Sequence, residues 1–167
     1  TVVLVNTGYF SDRLAEMLRR RGADVRQVTA EPGFAPTADD VRRVVADAKP
    51  ATLYATHVDT STGVRVNAAE LCEIAHEAGA LSVFDGVCAT AAERFEMEKW
   101  GADVYVTASQ KAIGLPAGLA LMVASELALD RRRSLRDEVP MALDWQQWLP
   151  IMQAYEDRRA SYFSTPA

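Results

Sequence analysis

Short runs of apolar, often β-branched residues recur along the chain at Val2 to Val5, Val25 to Val28, Thr52 to Thr56, Leu81 to Asp85, Val104 to Thr107 and Leu119 to Ala124. Runs of that length between glycine, proline and polar punctuation suit strands buried in a sheet. Amphipathic segments separate most of them. Three open with a cap pair, Thr37 with Asp40, Asn67 with Glu70 and Thr90 with Glu93, in which the acid is spaced to reach back to the cap amide. Gly22, Gly79, Gly101 and Pro50 mark where helices stop. A strict alternation of strand and helix predicts a three-layer α/β fold: a mostly parallel sheet with helices on both faces, because right-handed crossovers lay successive helices against it. A last helix is expected from Asp144 through "WQQWLPIMQAYEDRR", kinked or broken at Pro150, before an extended tail.

Composition limits what such a sheet can serve. The 167 residues are 49% hydrophobic and 25% charged, enough for one core. A net charge of -5 argues against a nucleic-acid partner, whose phosphates demand clustered lysine and arginine. The one basic run, Arg131 to Arg133, adjoins Asp130 and Asp137 and reads as a solvated helix face. Every apolar run falls short of the roughly 20 residues of a membrane-spanning helix, and no leader precedes the first strand, so no membrane role is expected. Cys72 and Cys88 lack metal-ligand or CxxC spacing, which points to reduced thiols in the cytoplasm and no metal. The chain opens inside a strand-like run and stops at "YFSTPA" without a closing helix, as an internal piece of a longer protein would.

In open α/β sheets ligands bind outside the carboxyl ends of the strands. The residues that follow the strands here are Gly8, Tyr9 and Phe10, then "THVDTSTG", then Asp85, then "SQK" ending in Lys111. Taken singly, Asp85 is a helix cap and Lys111 a loop charge. Together they suggest Schiff-base chemistry, since a lysine amine can condense with a carbonyl and a carboxylate can keep a pyridine nitrogen protonated. Pyridoxal 5'-phosphate (PLP) supplies both the carbonyl and the pyridine. His57 reads as a hydrogen-bonded supporting histidine, His76 as a half-exposed helix residue, Cys88 as a small buried filler, and Trp145 and Trp148 as core or subunit-contact residues.

The run "VFDGVCATAAERFEMEKWGADVYVTASQKAIGLPAGLALM" resembles the class V pyridoxal-phosphate-dependent aminotransferases, in particular the alanine-glyoxylate and serine-glyoxylate (serine-pyruvate) group. "VLVNTGYFSDR" is similar to the segment bearing the cofactor-stacking aromatic, and "THVDTSTGV" to a hydroxyl-rich strand end. The resemblance implies a fold-type I large domain, a homodimer with shared active sites, and amino-group exchange between a small amino acid such as alanine or serine and a 2-oxo acid such as glyoxylate or pyruvate. It implies that Lys111 carries the Schiff base and moves the proton, and that Asp85 holds the ring nitrogen. Val87 and Phe10 would clamp the two ring faces, Thr60 would reach the phenolic oxygen and Gln110 the phosphate. Tyr162 and Thr165 would contact the phosphate of the partner's cofactor.

On the same resemblance, residues 1–143 form the core of the PLP-binding large domain, and residues 144–167 form a helix and interface segment. The phosphate loop that precedes this region in the family, and the small domain that follows it, fall outside the sequence. The 167 residues alone are therefore expected to bind PLP weakly and to be inactive. Two alternatives stay open. A cysteine desulfurase-like lyase would usually carry histidine where Gln110 stands, and a non-catalytic nucleotide-binding α/β domain would need a glycine-rich phosphate loop that "NTGYFSD" lacks.

Overall fold

The structure is a computed structural model, describing residues 1–136 and 139–157. Strands β1 (Val2–Asn6), β2 (Val25–Thr29), β3 (Thr52–Thr56), β4 (Leu81–Asp85), β5 (Val104–Ala108) and β6 (Ala120–Ala124) form one sheet in the order β2-β1-β3-β4-β5-β6. The first five are parallel, and β6 runs antiparallel to β5. Helices α1 (Tyr9–Arg20), α2 (Ala38–Ala48), α3 (Ala68–Glu77) and the short α4 (Met97–Trp100) connect the parallel strands.

Register assigns the two faces of the sheet. Val3, Val5, Leu53, Ala55 and Phe84 point to the face covered by α2 and α3, where they meet Val41, Val45, Leu71 and Ile74. Each such side chain fully removed from water contributes about 1.5–3 kcal/mol. Leu4 and Val25 pack on the other face against Ala15, Leu14 and Leu18 of α1. Helices therefore lie on both faces, as the alternation predicts.

The caps hold at two of three places. Thr37 Oγ1 accepts from Asp40 N, and Asn67 Oδ1 accepts from Glu70 N. The acids bond back to the cap side chains, Asp40 to the Thr37 hydroxyl at 2.6 Å and Glu70 to Asn67 Nδ2 at 3.3 Å, instead of to the cap amides. At Thr90 the expected helix is absent. Its hydroxyl donates to Gly86 O at 2.8 Å, Glu93 is drawn 3.0 Å from Arg65, and Ala91 adopts φ 69°, which interrupts a helix. The alternation also fails between β5 and β6, which are joined by a loop that is Gly- and Pro-rich, Ser109–Leu119, and so pair antiparallel.

At the amino edge of the sheet a buried carboxylate ties three strands together. Asp103 Oδ2 accepts from Ser82 N at 2.9 Å and from Ser82 Oγ at 3.2 Å, and Oδ1 accepts from Ser125 Oγ at 2.9 Å. His76 Nε2 lies 3.4 Å from the same group, so this half-exposed helix histidine has a partner that its sequence context does not disclose. Cys72 is buried beside Ser82, and burial pushes its thiol up to about 11.

One compact unit runs Thr1–Ser125 and a second begins at Glu126. Within the second, α5 (Glu126–Ser134) and α6 (Trp145–Glu156) are joined by an ion pair, Arg132 to Asp144 at 2.9 Å with both side chains 15% exposed. Arg132 is thus structural and not part of a solvated face, whereas Arg133 is solvated and pairs with Asp130. Asp144 caps α6 by accepting from Gln146 N, and the helix continues through Pro150 without a break. Among the described residues no helix is long and apolar enough to cross a membrane.

Candidate active site

The first connection leads from β1 to β2 on one side and the sheet then continues through β3 on the other, so the switch in strand order falls between β1 and β3. That is where an open α/β sheet leaves a crevice at its carboxyl edge. Phe10 follows β1, Thr60 follows β3, Asp85 ends β4 with Val87 just beyond, and Gln110 and Lys111 follow β5. Four adjacent strands at roughly 4.8 Å spacing thus bring these six residues to one edge about 14 Å wide. Tyr162 and Thr165 lie outside the described residues.

Asp85 is half-buried. Its Oδ1 accepts from Val87 N at 2.9 Å, and no described residue is recorded as donating to Oδ2. Burial holds its carboxyl above the usual range, the Val87 N–H opposes this, and the Asp59 charge adds to it. Such a carboxylate is suited to a cationic N–H donor, which would lower the cost of its ionisation. Tyr54 stands on the same face two residues before Thr56, in register with Val83; burial, with a smaller contribution from Asp85, pushes its phenol up to about 12.

The turn beneath Asp85 is braced from inside. His57 N donates to Asp85 O at 2.8 Å, and the His57 ring is 2% exposed, in edge contact with Phe95 and 3.4 Å from Tyr105 Oη at Nδ1. Burial lowers its pKa, so it serves as a neutral support. Gly86 admits no β-carbon, because one built there would fall inside the Tyr105 ring.

Lys111 is half-buried and pairs with no described carboxylate. Its loop is shaped by Ser109, whose hydroxyl donates to Pro116 O at 2.6 Å, by Gly114 N donating to Lys111 O, and by Gly114 at φ 78°. Gln110 and Thr60 are exposed, Val87 is half-buried, and Phe10 is 42% exposed, its ring in edge contact with Tyr9 at 5.4 Å.

The strand-end residue that sequence reasoning passes over is Asp59. It is fully buried and accepts from Ser11 N, Ser11 Oγ, Ser61 N and Ser61 Oγ, bonds that hold its carboxyl below the usual range against its burial. The "DTS" spacing, an Asp whose side chain meets the amide two residues on, was the available signal. Among the described residues no group of His, Cys, Asp and Glu is placed to hold a metal ion. Cavities among the described residues lie elsewhere too, including one of ≈ 440 Å³ between α5 and α6, and a groove of ≈ 280 Å³ toward the carboxyl ends of α2 and α3, hence at the opposite edge of the sheet.

A three-layer α/β unit whose parallel strands present this edge has the fold of the pyridoxal-phosphate-dependent aminotransferases. The Aminotransferase class-V family model matches residues 1–136, and the chain belongs to that family. It is 35% identical over 173 residues to alanine–glyoxylate aminotransferase 1 of Saccharomyces cerevisiae, covering 99% of this chain and 44% of the relative. Against L-aspartate–glyoxylate aminotransferase of Paracoccus denitrificans it is 34% identical, covering 81% of this chain and 35% of that protein. The crystal structure of alanine–glyoxylate aminotransferase from Nostoc sp. superimposes with a TM-score of 0.83 at 28% identity, covering 99% of this chain and 44% of that one. The chain thus spans less than half the length of these relatives.

Proposed function

We propose that the full-length protein is a PLP-dependent aminotransferase that moves an amino group between a small amino acid, alanine or serine, and a 2-oxo acid such as glyoxylate or pyruvate. The observation that carries this is Asp85: a half-buried carboxylate at the end of β4, anchored through one oxygen and beside the strand that leads to Lys111. Family membership and the names of the relatives support it. Both relatives use glyoxylate by name while their donors differ, so the acceptor is the better supported half of the assignment.

The residues present fit the cofactor. Asp85 offers Oδ2 to a protonated ring nitrogen, and Lys111 offers an amine with no competing ion pair among the described residues. When bound, PLP supplies the electron sink that stabilises negative charge at the substrate α-carbon. Asp85 would keep the proton on the ring nitrogen. Lys111 Nζ would hold the cofactor at its aldehyde carbon and, once displaced by substrate, take the proton from the α-carbon as general base. Phe10 and Val87 would confine the ring, Thr60 would bond the phenolic oxygen, and Gln110 would bond the phosphate. Tyr162 and Thr165 are assigned to the partner's cofactor phosphate in a homodimer with shared sites, acting in the cytoplasm.

A donor and acceptor panel tests the proposal. The full-length protein incubated with PLP is expected to be yellow and to transfer nitrogen from alanine or serine to glyoxylate or pyruvate, and Lys111→Ala is expected to abolish both. A colourless protein that transfers nothing with any pair would overturn the assignment.

A further inference from the structure

We infer that Asp59 is a positioning residue for the aromatic platform of the site: across the switch point, its carboxylate caps helix α1 and so fixes Phe10, an inference that rests on the PLP assignment above. Helix α1 starts at Tyr9 with Gly8 as its N-cap, a residue with no side chain to satisfy the first-turn amides. The cap comes instead from residues about fifty positions along the chain. Ser11 N donates to Asp59 Oδ2 at 3.1 Å, and Tyr9 N donates to Ser61 Oγ at 2.9 Å, whose own hydroxyl donates to Asp59 Oδ1 at 2.7 Å. The negative charge also sits at the positive end of the helix.

Phe10 lies between those two tethered amides. Phe10 is 42% exposed and its ring is in edge contact with the neighbouring Tyr9 ring, so its placement is drawn from the clamped backbone more than from burial of the side chain. An exposed aromatic on a rigidly held backbone is what a preorganised stacking surface requires. The approach is close: a β-carbon on Gly8 would stand 2.6 Å from Ser61 Oγ and 2.7 Å from Asp59 Cγ. Gly8 is therefore needed for the cap to reach the helix. Ser11 Oγ, 3.2 Å from both Asp59 Oδ2 and Thr56 Oγ1, links the cap onward to the end of β3.

A purely structural staple and a positioning residue differ in one respect: only the second acts on the cofactor through Phe10. The test measures the Kd for PLP in full-length wild type, Asp59→Asn, Phe10→Ala and the double variant, together with amide exchange of Tyr9 and Ser11 in the protein without PLP. Asp59→Asn is expected to weaken PLP binding roughly threefold to tenfold, in the range of a lost stacking contact, and to speed exchange at both amides. In the Phe10→Ala background the same substitution is expected to change Kd less than twofold. Equal losses in both backgrounds, or unaltered amide exchange, would overturn the inference. Should Asp59→Asn not fold, Ser61→Ala removes the Tyr9 tether and the hydroxyl bond to Asp59 while leaving the Asp59 bond to Ser11 N, and must show the same dependence on Phe10. A wild-type protein that does not bind PLP defeats the functional assignment, and with it the platform role, while amide exchange still reports whether the cap exists.

Discussion

Gly86 and Tyr105 occupy each other's space: the tyrosine ring fills the volume that a β-carbon at position 86 would need, directly under the turn that follows Asp85. Tyr105 in turn lies 3.4 Å from both His57 and Thr90, so the turn, the ring and the neutral histidine form one packed unit. Gly86→Ala is expected to destabilise the protein by about 1–3 kcal/mol through overpacking. Combining it with Tyr105→Leu should recover part of that loss. Denaturant unfolding of the single and double variants measures the coupling, and strict additivity would show that the two residues do not compete.

Asp85 makes the folded protein pH-dependent when no cofactor is bound. Its folded pKa is raised by burial, so the folded state holds the proton more tightly than the unfolded chain does. The stabilising contribution is complete below the unfolded value near pH 4 and is lost as pH rises through the higher folded value. Asp85→Asn cannot ionise. Its Tm relative to wild type should therefore increase from acid to neutral pH in the protein without PLP, as thermal melts across that range would show; a constant difference would contradict the burial argument.

With PLP present the same substitution should act in the opposite sense. Loss of a charge-assisted hydrogen bond to the ring nitrogen is expected to weaken PLP binding by at least about tenfold. Equilibrium dialysis of Asp85→Asn against wild type checks this, and an unchanged Kd would separate Asp85 from the cofactor.

Asp103 provides a control remote from the site. Asp103→Ala removes the side-chain acceptor of the buried Ser82 amide and of the Ser82 and Ser125 hydroxyls. The cost should be at least about 2 kcal/mol, since each buried unsatisfied group costs about 1–3 kcal/mol. PLP affinity of the folded fraction should stay within twofold of wild type, because the group lies at the amino edge of the sheet.

What the sequence disclosed followed the range of the forces involved. Strands β3 and β4 end where the apolar runs end, because burial and β-branching act residue by residue. The direction of β6 is set by its connection, and Ser109–Leu119, with its glycines and proline, is too short for a helical crossover. Thr90 with Glu93 shows the limit of a local motif, since a carbonyl of the preceding turn, Gly86 O, claims the threonine and a tertiary partner, Arg65, claims the glutamate. That Asp85 and the loop bearing Lys111 share one edge was legible because topology alone places the ends of β4 and β5 together. Asp59 was not, because two of its four donors belong to Ser11 in the first turn of α1, about fifty residues away, which only the fold brings to it.

The central claim concerns one amine among the three lysines of the chain, Lys49, Lys99 and Lys111. Borohydride reduction of the full-length protein with PLP, followed by peptide mapping, reads it directly. The account predicts a stable pyridoxyl label on Lys111 and neither of the other two, lost when competing amino donor is added before reduction. A label on Lys49 or Lys99, or one spread evenly over the three, would contradict it.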